Sequence, residues 1–367
     1  MATISRYSAK DGSTLYRVRY RKPDGKQTDK RGFTTKRDAE RWLNRVEVSK
    51  MDGGYVAPSL GRATVGELGA AWLDRQRGHM KPSGMRSYES AWRNHVLPRW
   101  GTTPINRITY SDVQAWVAGL STRIGPSMIS NTYSVFARIL DDAVRDRILA
   151  SNPARGVKLP KRPPRHNVYL TTGQLDALAE ESGRYGSLVL LLGGGGLRWG
   201  EAAALTVADI NFLRRQVRLH RNAVKVGGRI EVGSLKSNKN RTIVLPPFVI
   251  DALALDAEGK QRDDLLWPSE AGSYLGPPSS VGSWLSGAVQ RCRKADETFP
   301  RITAHDLRHT AASLAISAGA NPKVVQRMLG HASAAMTLDV YADLFESDLD
   351  AVAENVGRMW AQRVVSH

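Results

Sequence analysis

The chain has 367 residues, 41% hydrophobic and 24% charged, with a formal excess of 18 positive charges. That composition excludes both a lone small module and a chain disordered throughout, and leaves room for about two to three domains. No apolar run reaches the roughly 18 residues of a bilayer span, the N-terminus MATISRYSAKDG has no secretory apolar region, and the single cysteine, Cys292, makes neither an intramolecular disulfide nor a Cys-rich zinc site. The expectation is a cytoplasmic protein without a membrane partner. Its charge is polarised, with +7 in residues 1–58, +6 in 59–155, +4 in 156–168 and only +1 in 169–367. A nucleic-acid partner is therefore expected, with binding concentrated in the first part and chemistry separable from it.

In chain order, Thr14 to Arg21 (TLYRVRYR) alternates with the period of two of a half-buried strand and turns Arg17, Arg19 and Arg21 outward. Asp11-Gly12 and Pro23-Asp24-Gly25 flank it as turns, predicting a three-stranded meander that ends near Phe33. Thr35 and Asp38 then cap a helix carrying Ala39, Trp42, Leu43 and Val46 on one face, stopped by Asp52-Gly53-Gly54. Residues 1–57 thus read as a small sheet buttressed by a helix, able to press an arginine face into a DNA groove. After a linker at 55–61, Thr64-x-x-Glu67 caps a helix with Leu68, Ala71 and Trp72 inward. Apolar stripes predict further helices at Ser87–Val96, Thr109–Leu120 and Ser127–Arg147, making 64–155 all-helical. Residues 156–168 (GVKLPKRPPRHNV), with three prolines and four basic groups, read as an extended linker. Lys158, Lys161 and Arg162 there are candidate DNA contacts.

From Tyr169, Thr171 to Gln174 opens a helix, and a buried helix through Ser187–Leu192 runs into Gly193–Gly196. Val217–Arg221, Gly228–Leu235 and Arg241–Leu245 predict one small antiparallel sheet, and helices resume from Pro277, so 169–346 is a mixed unit. In the tail, 347–367, Leu349, Val352, Val356 and Met359 or Trp360 make an apolar helical stripe. The fold class is α+β and mainly helical: an N-terminal three-stranded sheet plus helix, an all-helical domain, and a helical domain with a small antiparallel sheet.

Four stretches carry chemistry: Gly196-Leu197-Arg198-Trp199-Gly200-Glu201, Leu235-Lys236-Ser237, His305-Asp306-Leu307-Arg308-His309, and Leu329-Gly330-His331 followed ten residues on by Tyr341. Attack on a phosphodiester builds negative charge on its nonbridging oxygens. Arg198 and Arg308 are forks suited to bridging them. His305, Arg308 and His309 share a helix face by their spacing. A tyrosine with an ordinary pKa near 10 attacks only after a base takes its proton or a cationic site favours the phenolate. His305-x-x-x-His309 also imitates a zinc helix and the Gly193–Gly196 run a phosphate loop; Asp306 where that zinc motif has Glu, and Leu-Arg after the glycines, count against both. His309 reads instead as a helix-packing or hydrogen-bonding residue.

In order and spacing these stretches resemble the tyrosine recombinase (phage integrase) family, over about 169–345. The resemblance implies Arg198, Lys236, His305, Arg308, His331 and Tyr341 as catalytic residues. It implies Tyr341 as the nucleophile of a 3′-phosphotyrosine intermediate, Lys236 as general acid, His305 as an aid to proton transfer, His331 as a further donor to the phosphate, and Glu201 in support of the first arginine. Lys239 and Lys225 stay open beside Lys236. Where the family often has Thr-Gly before Leu-Arg, this chain has Gly195-Gly196, a departure expected to loosen that turn.

Temperate-phage integrases with an extra N-terminal module look like this chain. By that likeness residues 1–57 bind arm-type DNA, 64–155 and the catalytic domain clamp a core site, and a homotetramer on double-stranded DNA proceeds through a Holliday junction. No cofactor or metal is implied. Integration and excision at attachment sites, a host DNA-bending protein and an excisionase belong to the same picture, as does a tail docked on its own or a neighbouring subunit. A type IB-like topoisomerase and a non-catalytic DNA-binding regulator are the alternatives.

Overall fold

The computed structural model describes residues 2–22, 25–51, 60–163, 167–235, 240–278 and 281–346, with helical residues 353–354, 356–358 and 360 beyond them. The chain divides into two compact units, 1–164 and 165–367. It is mainly helical with small antiparallel sheets, as expected.

In the first unit β1 (Thr3–Ser8), β2 (Thr14–Arg21) and β3 (Gln27–Phe33) form an antiparallel meander in that order. Alternation buries Val18 and Tyr20 and leaves Arg19 and Arg21 outside. Helix α1 (Lys36–Met51) covers the inner face, burying Ala39 and setting Trp42 edge-on to Tyr20 at 5.3 Å, and Asp38 N–H donates to Thr35 Oγ1 as its cap.

The helical part comprises α2 (Val65–Arg77), α3 (Pro82–Ala91), a π turn (Trp92–Val96), α4 (Leu97–Trp100), α5 (Tyr110–Leu120) and α6 (Pro126–Arg145). Trp100 stacks on Phe136 at 5.0 Å, with Trp116 edge-on to both. Two expectations change here. The helix expected at Ser87–Val96 runs from Pro82 to Trp100, and its π turn precedes Pro98, whose ring clashes with the carbonyl four residues back and whose nitrogen donates nothing. Ala71 is exposed, because α2 turns Val65, Gly69, Trp72 and Leu73 inward and Gly69 makes room for the Trp92 ring. The basic tract also begins as a strap instead of a free linker: Val157 is buried, and the Gln114 side chain accepts from Lys158 N–H at 3.0 Å and donates to its carbonyl at 3.2 Å.

The second unit begins with α7 (Thr172–Glu181), capped by Thr171 and Gln174, then α8 (Gly186–Gly195) and α9 (Trp199–Ala202). Strands β4 (Ile210–Asn211), β5 (Gln216–Leu219), β6 (Asn222–Val226), β7 (Arg229–Gly233) and β8 (Arg241–Val244) follow. Then come α10 (Pro247–Ala257), α11 (Trp284–Ala295), α12 (Ala304–Ser317), α13 (Pro322–Leu329) and α14 (Ala334–Glu346). Helix α8 is the centre of the core, with Leu188, Val189, Leu191 and Leu192 fully buried and α7, α10 and α12 packed around it. Among the described residues the strands form two sheets instead of one, β4-β5-β8 and the hairpin β6-β7. The run expected as Val217–Arg221 stops at Leu219, because His220 and Arg221 both turn to the Asp209 carboxylate, at 2.8 and 2.6 Å. Helix α10 had no sequence expectation. In the tail Val356 and Trp360 are exposed, while Leu349, Val352 and Met359 lie outside the described residues.

Candidate active site

The glycine run is helical through Gly195 and closes at Gly196 with φ +70°. It is therefore no phosphate loop. Nor is its turn loose: a Cβ on Gly195 would stand 2.8 Å from a Leu245 methyl, so neighbouring side chains fill the space. This cap delivers Arg198 as the residue preceding α9, where its N–H donates to Glu201 Oε2 at 2.9 Å and its Nη1 to Oε1 at 3.0 Å. Gly200 lets α9 lie against β6, since a Cβ there would meet the Ala223 carbonyl at 2.4 Å.

Glu201 is 1% exposed, and Arg241, at the start of β8, donates to both its oxygens at 2.9 and 2.7 Å. Burial pushes this carboxyl up, but the Arg241 fork, with Arg198 behind it, outweighs burial and holds it below the usual carboxylate range. Glu201 is thus a buried anion that orients two guanidiniums.

On α12, Asp306 accepts from Thr303 N–H at 2.8 Å, a capping role that turns it away from the zinc arrangement. Among the described residues no three His, Cys, Asp or Glu side chains converge as a metal site needs. Arg308 is 3% exposed, and it donates from Nη1 to the Gly196 carbonyl at 2.6 Å and from Nη2 to the Leu329 carbonyl at 2.7 Å. One side chain thus staples the end of α8 to the end of α13. Burial, then the neighbouring Arg198, lowers its pKa to about 9, so it remains a cation at neutral pH.

Helix α13, capped by Asn321, ends at Gly330 with φ +66°, where a Cβ would stand 2.9 Å from the Arg241 guanidinium carbon. The Gly330 carbonyl accepts from Arg198 Nη2 at 3.4 Å. His331 follows, with Nδ1 3.0 Å from Thr337 Oγ1. Burial first, then Arg308 and Arg198, lowers it to about 4, so the ring is neutral. Tyr341 on α14 is 2% exposed among Ala312, Ile316, Val325 and Leu329, and its hydroxyl lies 2.8 Å from His309 Nδ1. Burial pushes the phenol up to about 12, against the pull of Arg308.

Arg198, Glu201, Arg308, His331 and Tyr341 therefore converge, and exposed His305 joins them through His309, edge-on at 4.8 Å. Lys236 and Lys239 lie outside the described residues, and Lys225 is exposed on β6. Arg17, Arg19, Arg21, Lys158, Lys161 and Arg162 are all in the first unit, exposed except half-buried Arg17, whose Nε donates to Ser5 Oγ at 2.9 Å. Sequence reasoning missed Arg241, whose only signal is a basic residue heading an apolar strand, and the His309 contact with Tyr341.

The profile of the phage integrase family matches residues 170–347, that of the phage integrase N-terminal SAM-like domain 64–121, and that of the Arm DNA-binding domain 5–50. The chain is 31% identical over 344 residues to a putative prophage phiRv2 integrase of Mycobacterium tuberculosis, covering 89% of this chain and 88% of that one. In fold it is similar to the Tn1549 transposon integrase in complex with circular intermediate DNA, at a TM-score of 0.69 and 22% identity over 78% of this chain and 99% of that one. A lambda integrase tetramer bound to a Holliday junction is similar too, at 0.58 and 18% over 90% and 94%. With an identity above 30% along nearly the whole length and the motif residues gathered into one site, the chain belongs to the phage integrase family, the tyrosine recombinases.

Proposed function

We propose that this recombinase cleaves and rejoins DNA through a 3′-phosphotyrosine on Tyr341, integrating DNA at attachment sites and excising it again. The observation that carries this reading is the convergence of Arg198, Arg308, neutral His331 and Tyr341 around one buried carboxylate, Glu201. Arg198 and Arg308 stabilise the charge built on the phosphorane oxygens, and His331 donates from Nε2 while Thr337 engages its Nδ1. Glu201 and Arg241 set the guanidinium of Arg198. Lys236 protonates the leaving 5′ oxygen, and His305 assists proton transfer. Phosphotyrosine conserves the energy of the broken bond, so rejoining needs no ATP.

Residues 1–57 bind arm DNA through Arg17, Arg19 and Arg21, 64–155 form the core-binding domain, and 156–168 track the duplex with Lys158, Lys161 and Arg162. The catalytic domain is 169–346 and the tail 347–367. The lambda integrase tetramer bound to a Holliday junction supports a tetramer acting on two duplexes. In the same reading a host DNA-bending protein and an excisionase set direction.

The test is covalent capture by the full chain on nicked suicide duplexes with randomised cores, in EDTA and without ATP, beside Tyr341→Phe. A DNA-linked band lost in the variant is the expected result. Tight binding with no band would move the non-catalytic regulator to the front. A two-site strand-exchange assay on the captured core then separates recombinase from topoisomerase.

A further inference from the structure

Among the histidines of the site, His309 alone has a ring nitrogen at hydrogen-bonding distance from the tyrosine oxygen, 2.8 Å, among the described residues. His331 lies flat beside Tyr341, its ring 6.5 Å away and within 7° of parallel, with Nδ1 engaged by Thr337. His305 meets the His309 ring edge-on at 4.8 Å. Arg308 is a permanent donor and accepts nothing. We propose that His309 is a catalytic residue, the base that takes the Tyr341 proton and holds it for rejoining; this rests on Tyr341 being the nucleophile.

In the Nε2–H tautomer of His309 the phenol donates and Nδ1 accepts. As Tyr341 Oη bonds to phosphorus its proton passes to Nδ1, while the P–O5′ bond breaks and O5′ takes a proton from the general acid. On rejoining, the 5′ hydroxyl attacks as it returns its proton to the general acid, the P–Oη bond breaks, and Nδ1–H returns its proton to Oη. Burial gives this transfer its value. An isolated phenolate in a 2% exposed position is costly, whereas a phenolate beside an imidazolium leaves the net charge of the pocket unchanged. The charged and titratable groups facing the His309–Tyr341 pair are His305 and Arg308 on α12, His331 after α13, and Tyr169. The signal was present in the spacing, since His309 follows His305 by one helical turn and stands next to Arg308.

The experiment uses the full chain and a suicide duplex whose core the wild type captured from the randomised pool. His309→Asn keeps a polar group near Oη but takes no proton, and His309→Gly leaves room for added imidazole. Both are expected to slow single-turnover adduct formation by roughly 10²- to 10³-fold and to lose the acid-side fall of the rate profile, with duplex binding unchanged, and the mid-helix glycine also lowers the melting temperature. Imidazole is expected to restore His309→Gly. A 5′-bridging phosphorothiolate, whose leaving group needs no proton, is expected not to restore His309→Asn. Cleavage by His309→Asn at the wild-type rate and pH profile overturns the assignment, and so does slow cleavage with an unchanged profile and no imidazole rescue. A wild-type chain that links to no core overturns the nucleophile reading itself, a result the variants cannot mimic.

Discussion

The arginines of the first sheet and those around Tyr341 carry the same charge and are held in opposite ways. Arg19 and Arg21 stand exposed on β2, and Arg31 reaches Asp29 at 2.7 Å with 61% of its side chain in solvent. In the second unit Arg308 is 3% exposed with two backbone carbonyls on its fork, and Arg241 grips both oxygens of a buried carboxylate. Exposed forks follow a phosphate backbone wherever it runs, at an energy that salt erodes. Held forks spend no reorganisation when charge develops in front of them, and in a dry pocket each is worth far more. On the proposed function, the same residue type serves affinity in one unit and rate in the other.

The contrast breaks first, and hardest, at Arg308. Arg308→Lys keeps a cation but cannot span the Gly196 and Leu329 carbonyls, and single-turnover cleavage should fall by roughly 10³-fold with duplex binding nearly intact. A lysine variant cleaving at the wild-type rate would mean that charge alone matters. Glu201→Gln sharpens the contrast through stability: unpairing a buried ion cluster should cost about 3 kcal/mol in chemical denaturation, whereas Asp29→Asn at the exposed Arg31 pair should leave the curve where it was. Because the folded Glu201 carboxyl sits below its unfolded value, its contribution is present above the ordinary carboxylate range and is lost as pH falls through the depressed folded value. Wild type and Glu201→Gln should therefore converge in stability on acidification. The smallest effect belongs to the sheet. Replacing Arg17, Arg19 and Arg21 together by Ala should weaken arm-DNA binding about tenfold and flatten the slope of log affinity against log salt by ~0.9 per lost phosphate contact. Melting and cleavage of a core-only duplex should stay unchanged.

What the sequence made legible was local. The caps at Thr35, Thr64 and Thr171 lie where their three-residue spacing predicts, because donor and acceptor are neighbours in the chain. Arg198, Arg308, His331 and Tyr341 were readable through the order and spacing of short motifs that resemble the phage integrase family. Arg241 was not, since its partner Glu201 lies forty positions away and only the packing of α9 and β8 joins them. His309 was visible as a neighbour of Arg308, yet nothing in α12 says that α14 would bring a phenol to it. The division into two sheets escaped for the same reason, because it depends on Asp209 drawing His220 and Arg221 away from β5.

Helix α14 changes course at Tyr341, where φ is −128° and ψ is 16°. Tyr341, the proposed nucleophile, therefore sits at an elbow, while Arg308, which would hold the phosphate, is riveted to α8 and α13. The phenol is carried on a bend of its own helix and the guanidinium is pinned between two others, so separate elements of this fold hold the two groups.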